Sequence, residues 1–242
     1  MSVVRPVAAR GDLFDRRIRE QWTDQLGRRL DILIAGCGRS GELRLDRMDT
    51  RVTGVDEDRP ELRDVVASRA DLDAWALDDM RSVPIPPRSF DVVYIEFLLE
   101  RIKHAELVLD RILGGLRPGG LLLVRMRDRD SAYGFCTRAL PSWLRRALWR
   151  RFVADVPEGP LPAVYEPVTS REGMQTFCLI RGLQITDEAK DTSGPALYGP
   201  LGRLAESVCA LVERLSAGRL PATHDELTLV IRKPQNHFAR LI

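Results

Sequence analysis

Between residues 29 and 127, short apolar runs alternate with amphipathic segments, and this rhythm constrains the fold more than any other feature. Ile32-Leu33-Ile34-Ala35 has the length and β-branched content of a buried strand. RVTGVD (51–56), AWAL (74–77), SFDVVYIEF (89–97) and LLLVRM (121–126) repeat that signature. Between them, RPELRDVVASRA (59–70), with Pro60 placed for a first turn, and HAELVLDRILGGL (104–116) carry helical spacing. Arg117-Pro118-Gly119-Gly120 reads as a turn. Strands that alternate with helices predict a mostly parallel sheet covered on both faces.

The flanks extend this core. Phe14, Ile18 and Trp22 recur at i, i+4 and i+8 in a helix predicted over 12–27, which Gly27 stops. Regularity fails over 128–168, where Pro141, Pro157, Pro160, Pro162 and Pro167 interrupt the chain. A helix resumes near Ser170, followed by a strand at 183–186, a helix near 201–218 and a last strand at 226–233. The predicted organisation is an N-terminal helix (1–28), a core (29–127), an insertion (128–168) and a C-terminal completion of the sheet (169–242).

Composition excludes several functions. A chain of 242 residues with 44% hydrophobic and 30% charged residues can bury a core without staples. A net charge of +2 does not suggest nucleic acid as a partner. Cys37, Cys136, Cys178 and Cys209 are too scattered for a metal site or a disulfide framework. No apolar run suits a signal peptide or a membrane span, so a cytoplasmic protein, monomeric or homodimeric, is expected.

The first strand ends in a glycine loop, Gly36-Cys37-Gly38-Arg39-Ser40-Gly41, with a helix predicted after it. Such glycines allow a tight turn and close backbone approach to a ligand. Asp56 ends the second strand, 20 residues after Gly36, where an acid can accept hydrogen bonds from ribose hydroxyls. A nicotinamide dinucleotide and S-adenosylmethionine both fit these features.

Ile34-Ala35-Gly36-Cys37-Gly38, Val52-Thr53-Gly54-Val55-Asp56, Ser89-Phe90-Asp91-Val92-Val93 and Leu116-Arg117-Pro118-Gly119-Gly120-Leu121 occur in one order. Over about residues 28–127 the chain resembles the class I S-adenosylmethionine-dependent methyltransferase family. SFDVV and LRPGGLLLV are the most specific parts, a pair that nicotinamide enzymes do not usually carry. The resemblance implies a Rossmann-like α/β fold, a seven-stranded sheet whose last strand is antiparallel and inserted beside the fifth. It also implies a helical insertion after the fifth strand that covers the acceptor. Gly36, Cys37, Gly38 and Gly41 would line the methionine and ribose, and Asp56, with Glu57 beside it, would bind the ribose hydroxyls. Asp79 and Met80 would meet the adenine, and Glu96 and Phe97 would fall near the reacting methyl. The chain departs from the family in three places: Ile34 stands where many members carry an acid, the loop reads GxGxxG rather than GxGxG, and Glu100-Arg101 replaces a common His pair.

Methyl transfer from a sulfonium is an in-line displacement that needs orientation, and a hydroxyl acceptor benefits from a general base. Glu96, His104 and Tyr133 are the leading candidates for catalysis, with Glu100 a further candidate base and no metal expected. His104 begins a predicted helix, where capping or exposure competes with catalysis. The segment Tyr94-Ile95-Glu96-Phe97 lacks the Asn/Asp-Pro-Pro-aromatic motif of relatives that methylate nucleobase amines. The insertion holds Tyr133, Phe135, Trp143, Trp149, Phe152 and Tyr165. A helix predicted over Pro141–Val153 sets Arg145, Arg146, Arg150 and Arg151 against an apolar stripe. These arginines suit a solvated basic face, an anionic acceptor or contact with an anionic membrane. This segment has a looser likeness to bacterial methyltransferases of surface-polysaccharide and secondary-metabolite pathways. A small-molecule methyltransferase, with oxygen the favoured acceptor atom, is the leading expectation. A nicotinamide-dependent oxidoreductase and a non-catalytic methyltransferase-like subunit are the alternatives.

Overall fold

A computed structural model describes residues 8–43, 45, 47–141, 143, 163–192 and 200–235. The chain order is α1 (Ala8–Asp24), β1 (Leu30–Ala35), β2 (Thr50–Asp56), α2 (Pro60–Ala67), β3 (Ala74–Leu77), β4 (Phe90–Glu96), α3 (Ala105–Gly115) and β5 (Leu116–Arg127). It continues with α4 (Ala132–Ala139), a 3-10 turn (Pro167–Thr169), α5 (Arg171–Ile180), β6 (Gln184–Asp191), α6 (Pro200–Leu215) and β7 (Glu226–Arg232). The seven strands form one sheet in the order β3-β2-β1-β4-β5-β7-β6. β1 to β5 run parallel, and β7 lies antiparallel between β5 and β6, as the resemblance implies. Among the described residues, no helix is long and apolar enough to cross a membrane.

Strand pleating sorts the central side chains into two layers. Leu33, Ala35, Val93, Ile95, Leu122 and Val124 face α3 and α5. Ile32, Ile34, Val92, Tyr94, Leu121 and Leu123 face the other way, toward Phe14 and Ile18 of α1 and Val66 of α2. All seven residues of β4 are buried, which fits its place in the middle of a doubly covered sheet. At the edge, β6 alternates exposed and half-buried residues and carries Asp187, Glu188, Lys190 and Asp191, charges that discourage further strand pairing.

The amino ends of the strands are tied at Asp91. Its carboxylate accepts Arg28 Nη2 at 2.7 Å, the Asp31 amide at 3.0 Å and Arg117 Nη1 at 2.5 Å. Arg117 also pairs with Asp31 at 3.0 Å. At the opposite end of the sheet, Glu166 binds the two first amides of α3, His104 N at 2.6 Å and Ala105 N at 2.9 Å. An acid there satisfies orphan donors and suits the helix dipole.

Four expectations change. Residues 36–43 form turns and irregular chain, so the helix predicted after the glycine loop is not formed there. The β1–β2 connection has 14 residues, and the loop with its return consumes them. Arg117–Gly120 belong to β5 rather than to a free turn, because Leu116 pairs with Phe90 before an irregularity restores the register at Leu121. Gly119, at φ +80°, takes up that irregularity. β6 runs on to Asp191, past the predicted Thr186. Part of the predicted irregular insertion is helical: Ser131 caps α4 by accepting the Gly134 amide at 3.0 Å. Arg145, Arg146, Arg150, Arg151, Trp149 and Phe152 lie outside the described residues.

Candidate functional site

The carboxyl ends of β1, β2 and β4 converge on the glycine loop, the crevice where open α/β sheets bind ligands. Each of the six loop amides donates within the protein. Gly36 N and Cys37 N reach the Val55 carbonyl at 2.8 and 3.3 Å. Arg39 N and Ser40 N reach the Gly36 carbonyl at 3.2 and 3.1 Å. Gly38 N donates to Asp56 Oδ2 at 2.8 Å, and Gly41 N to Glu96 Oε2 at 2.9 Å. Of these glycines only Gly36 has positive φ, at +87°. Gly38 is required by space instead: a Cβ there would lie 2.9 Å from Leu62 Cδ2 and 3.1 Å from Asp56 Oδ2.

Asp56 is 2% exposed, and its second oxygen accepts the Glu57 amide at 2.8 Å. Each oxygen keeps one lone pair for a further donor. Burial pushes the Asp56 carboxyl up, opposed by Arg101 and by the Glu57 and Gly38 amides. Beside it, the Asp78 amide donates to the Asp56 carbonyl at 3.0 Å and brings Asp79 and buried Met80 to the same corner. Asp79 is exposed and ion-paired with Arg81, which holds its carboxyl down at about 2. Glu57 pairs with Arg59 at 2.5 Å.

Glu96 organises the loop from the neighbouring strand. Besides Gly41 N, its carboxylate accepts Tyr94 Oη at 2.7 Å and Arg125 Nη1 at 2.8 Å. Tyr94 pairs in register with Ile34, so Glu96 lies on the face that Ile34 leaves without an acid. Phe97 takes φ +48°, and the Arg127 guanidinium stacks 5.2 Å from its ring. Sequence reasoning missed Arg69. Its Nη1 binds the Cys37 carbonyl and, at 2.9 Å, the Ser40 carbonyl, while Nη2 pairs with Asp71 at 2.6 Å. It thus clamps the loop from the end of α2, and nothing in the local motif signals this.

The remaining candidates diverge. His104 is exposed, in left-handed conformation before α3. Tyr133 is half-buried on α4, and burial pushes its hydroxyl up to about 12. Glu100 is 5% exposed, and its Oε2 has no hydrogen-bond partner. Its carbonyl accepts the Val164 and Tyr165 amides at 2.9 and 3.1 Å. Burial pushes its carboxyl up to about 7, against Arg101 and Arg127.

The Glu100 shift predicts a pH dependence. The unfolded carboxyl ionises near 4.5 and the folded one near 7, so the folded state binds more protons between these values. Glu100 therefore costs stability progressively as pH rises through this window, by about 3 kcal/mol at most above it. Glu100→Gln should melt like the wild type at pH 4.5 and higher than it at pH 8. Parallel melting curves at both pH values would place the shift elsewhere.

A pyrophosphate on a glycine loop needs free N–H donors, and this loop directs all six inward. The family model described as a methyltransferase domain matches residues 33–124, which span the loop, Asp56, Asp91 and Glu96. Residues 33–124 are a class I S-adenosylmethionine-dependent methyltransferase domain. The cofactor of this family is S-adenosylmethionine. The methyltransferase domain and its C-terminal strands share their fold with an S-adenosylmethionine-dependent methyltransferase from Mesorhizobium loti. That match has 14% identity, a TM-score of 0.50, and covers 84% of this chain and 90% of that one. A cyclase named SpnF matches with 18% identity and a TM-score of 0.54, over 92% of this chain and 81% of that one. A Haloferax volcanii chain solved with the Trm112 methyltransferase activator matches with 18% identity and a TM-score of 0.52, over 98% and 99%. No curated protein sequence matches the chain significantly.

Proposed function

We propose that the methyltransferase domain binds S-adenosylmethionine at the glycine loop and transfers its methyl group to the oxygen of a small molecule. The observation that carries this reading is the loop itself: its amides serve protein acceptors, while each oxygen of Asp56 has accepted only one amide and can take a further donor. The bound cofactor supplies an electrophilic methyl on a sulfonium. Asp56 holds the ribose hydroxyls, Met80 packs beside the adenine with Asp79 at its edge, and Gly36 to Gly41 line the methionine side. Glu96 keeps the loop in place through Gly41, and Phe97 stands at its shoulder. Glu100 takes the acceptor proton at its unpartnered Oε2, because its carboxyl titrates near neutrality.

Asp56→Ala is expected to weaken S-adenosylhomocysteine binding by roughly 10- to 100-fold, the loss of about 1.5–3 kcal/mol of charge-assisted hydrogen bonding. Calorimetric titration checks it, and unchanged affinity in a folded variant would remove Asp56 from the site. For the acceptor base, the rate with a hydroxyl acceptor should rise with pH around 7, and Glu100→Gln should flatten that rise. A second reading, binding without transfer, is favoured by one observation: Glu96, the acid that holds Gly41, already accepts three donors. Product formation from radiolabelled S-adenosylmethionine with a panel of small hydroxyl compounds separates the two.

A further inference from the structure

We propose that Arg101 binds the α-carboxylate of the methionine portion of S-adenosylmethionine, an inference that rests on the cofactor reading above. Arg101 is only 9% exposed, yet its Nε and Nη2 have no hydrogen-bond partner. Those two nitrogens form one edge of the guanidinium, the fork that matches both oxygens of a carboxylate. Buried donors left unfilled are costly, so an open fork in the interior points to a ligand.

The position of the fork selects which ligand group it meets. Nη2 lies 3.4 Å from the point that a Cβ on Gly36 would occupy, so the guanidinium stands over the first glycine of the loop. The charges acting on it are Asp56, Glu100 and Glu57, which favour it, and Arg39, which opposes it. Asp56, the charge that acts most strongly on the fork, marks the ribose in the cofactor reading above, and the fork itself stands over Gly36, on the part of the loop that the same reading gives to the methionine. Ile34 offers no acid for the ammonium there. This end of the site is therefore built to recognise the negative group of the amino acid. Arg101 stands where relatives of the family carry a histidine, and its length lets one residue reach from the end of β4 to the loop.

Titration of S-adenosylhomocysteine and of 5′-methylthioadenosine tests the assignment. The second ligand keeps the adenosine and thioether and lacks the amino-acid group. Arg101→Met should weaken S-adenosylhomocysteine by at least about tenfold and leave methylthioadenosine within about twofold. Arg101→Lys, which keeps the charge but not the fork, should fall between wild type and Met. If Met fails to fold, the carboxamide of S-adenosylhomocysteine on the wild-type protein carries the test, with at least about a tenfold loss expected. Equal losses for both ligands, or unchanged or tighter S-adenosylhomocysteine binding in the Met variant, would overturn the assignment and leave the cofactor reading intact. Wild-type protein that binds neither ligand would overturn both.

Discussion

Asp91→Ala is expected to destabilise the fold by about 3 kcal/mol, the scale for removing one member of a buried ion pair. Asp91 is 1% exposed and joins three parts of the chain. Arg28 reaches it from the connection before β1, Asp31 donates from β1 itself, and Arg117 reaches it from β5. Alanine would leave the Asp31 amide unpaired and two arginines without their shared anion. Arg28 and Arg117 keep side-chain exposures of 51% and 30%, so water recovers part of the loss and holds the estimate at the low end of the range. Asp91→Asn keeps an acceptor and should cost less. Urea denaturation monitored by circular dichroism reads both. A loss below about 1 kcal/mol for alanine would show that the cluster is dispensable.

Gly38→Val is expected to reduce S-adenosylhomocysteine affinity by more than about 100-fold, because the branched side chain would press on Leu62 and displace Asp56, the acid proposed to hold the ribose. Even the first carbon meets Leu62 Cδ2 at 2.9 Å and Asp56 Oδ2 at 3.1 Å, so the loop must shift away from its acid. Gly38→Ala should show a smaller loss of the same sign. Overpacking against Leu62 should also cost about 1–3 kcal/mol of stability. Melting temperature separates the two effects. A valine variant that melts near the wild type and still binds S-adenosylhomocysteine would mean that the loop only connects β1 to β2.

Sheet and helices were legible because burial on both faces imposes an apolar rhythm that local reading detects. The antiparallel placement of β7 came from the family likeness, since no local rule fixes which neighbour a final strand chooses. The two most specific motifs turn out to meet each other: Asp91 of SFDVV binds Arg117 of LRPGG at the amino end of the sheet. Their specificity thus reflects a structural staple, while the proposed cofactor site lies at the other end. Gly36, Gly38 and Asp56 were readable as a spaced set. Arg69, Arg101 and the bonding of Glu96 were not, because each depends on contacts between strands and helices distant in sequence. The helix predicted after the glycine loop, which the described residues 36–43 do not form, shows a similar limit.

Isothermal titration of the wild-type protein with S-adenosylhomocysteine and with NADH decides whether the glycine loop is a site for S-adenosylmethionine. Saturable binding of S-adenosylhomocysteine and none of NADH is expected, since the loop amides have no hydrogen to give a pyrophosphate. Binding of NADH with no binding of S-adenosylhomocysteine would contradict it.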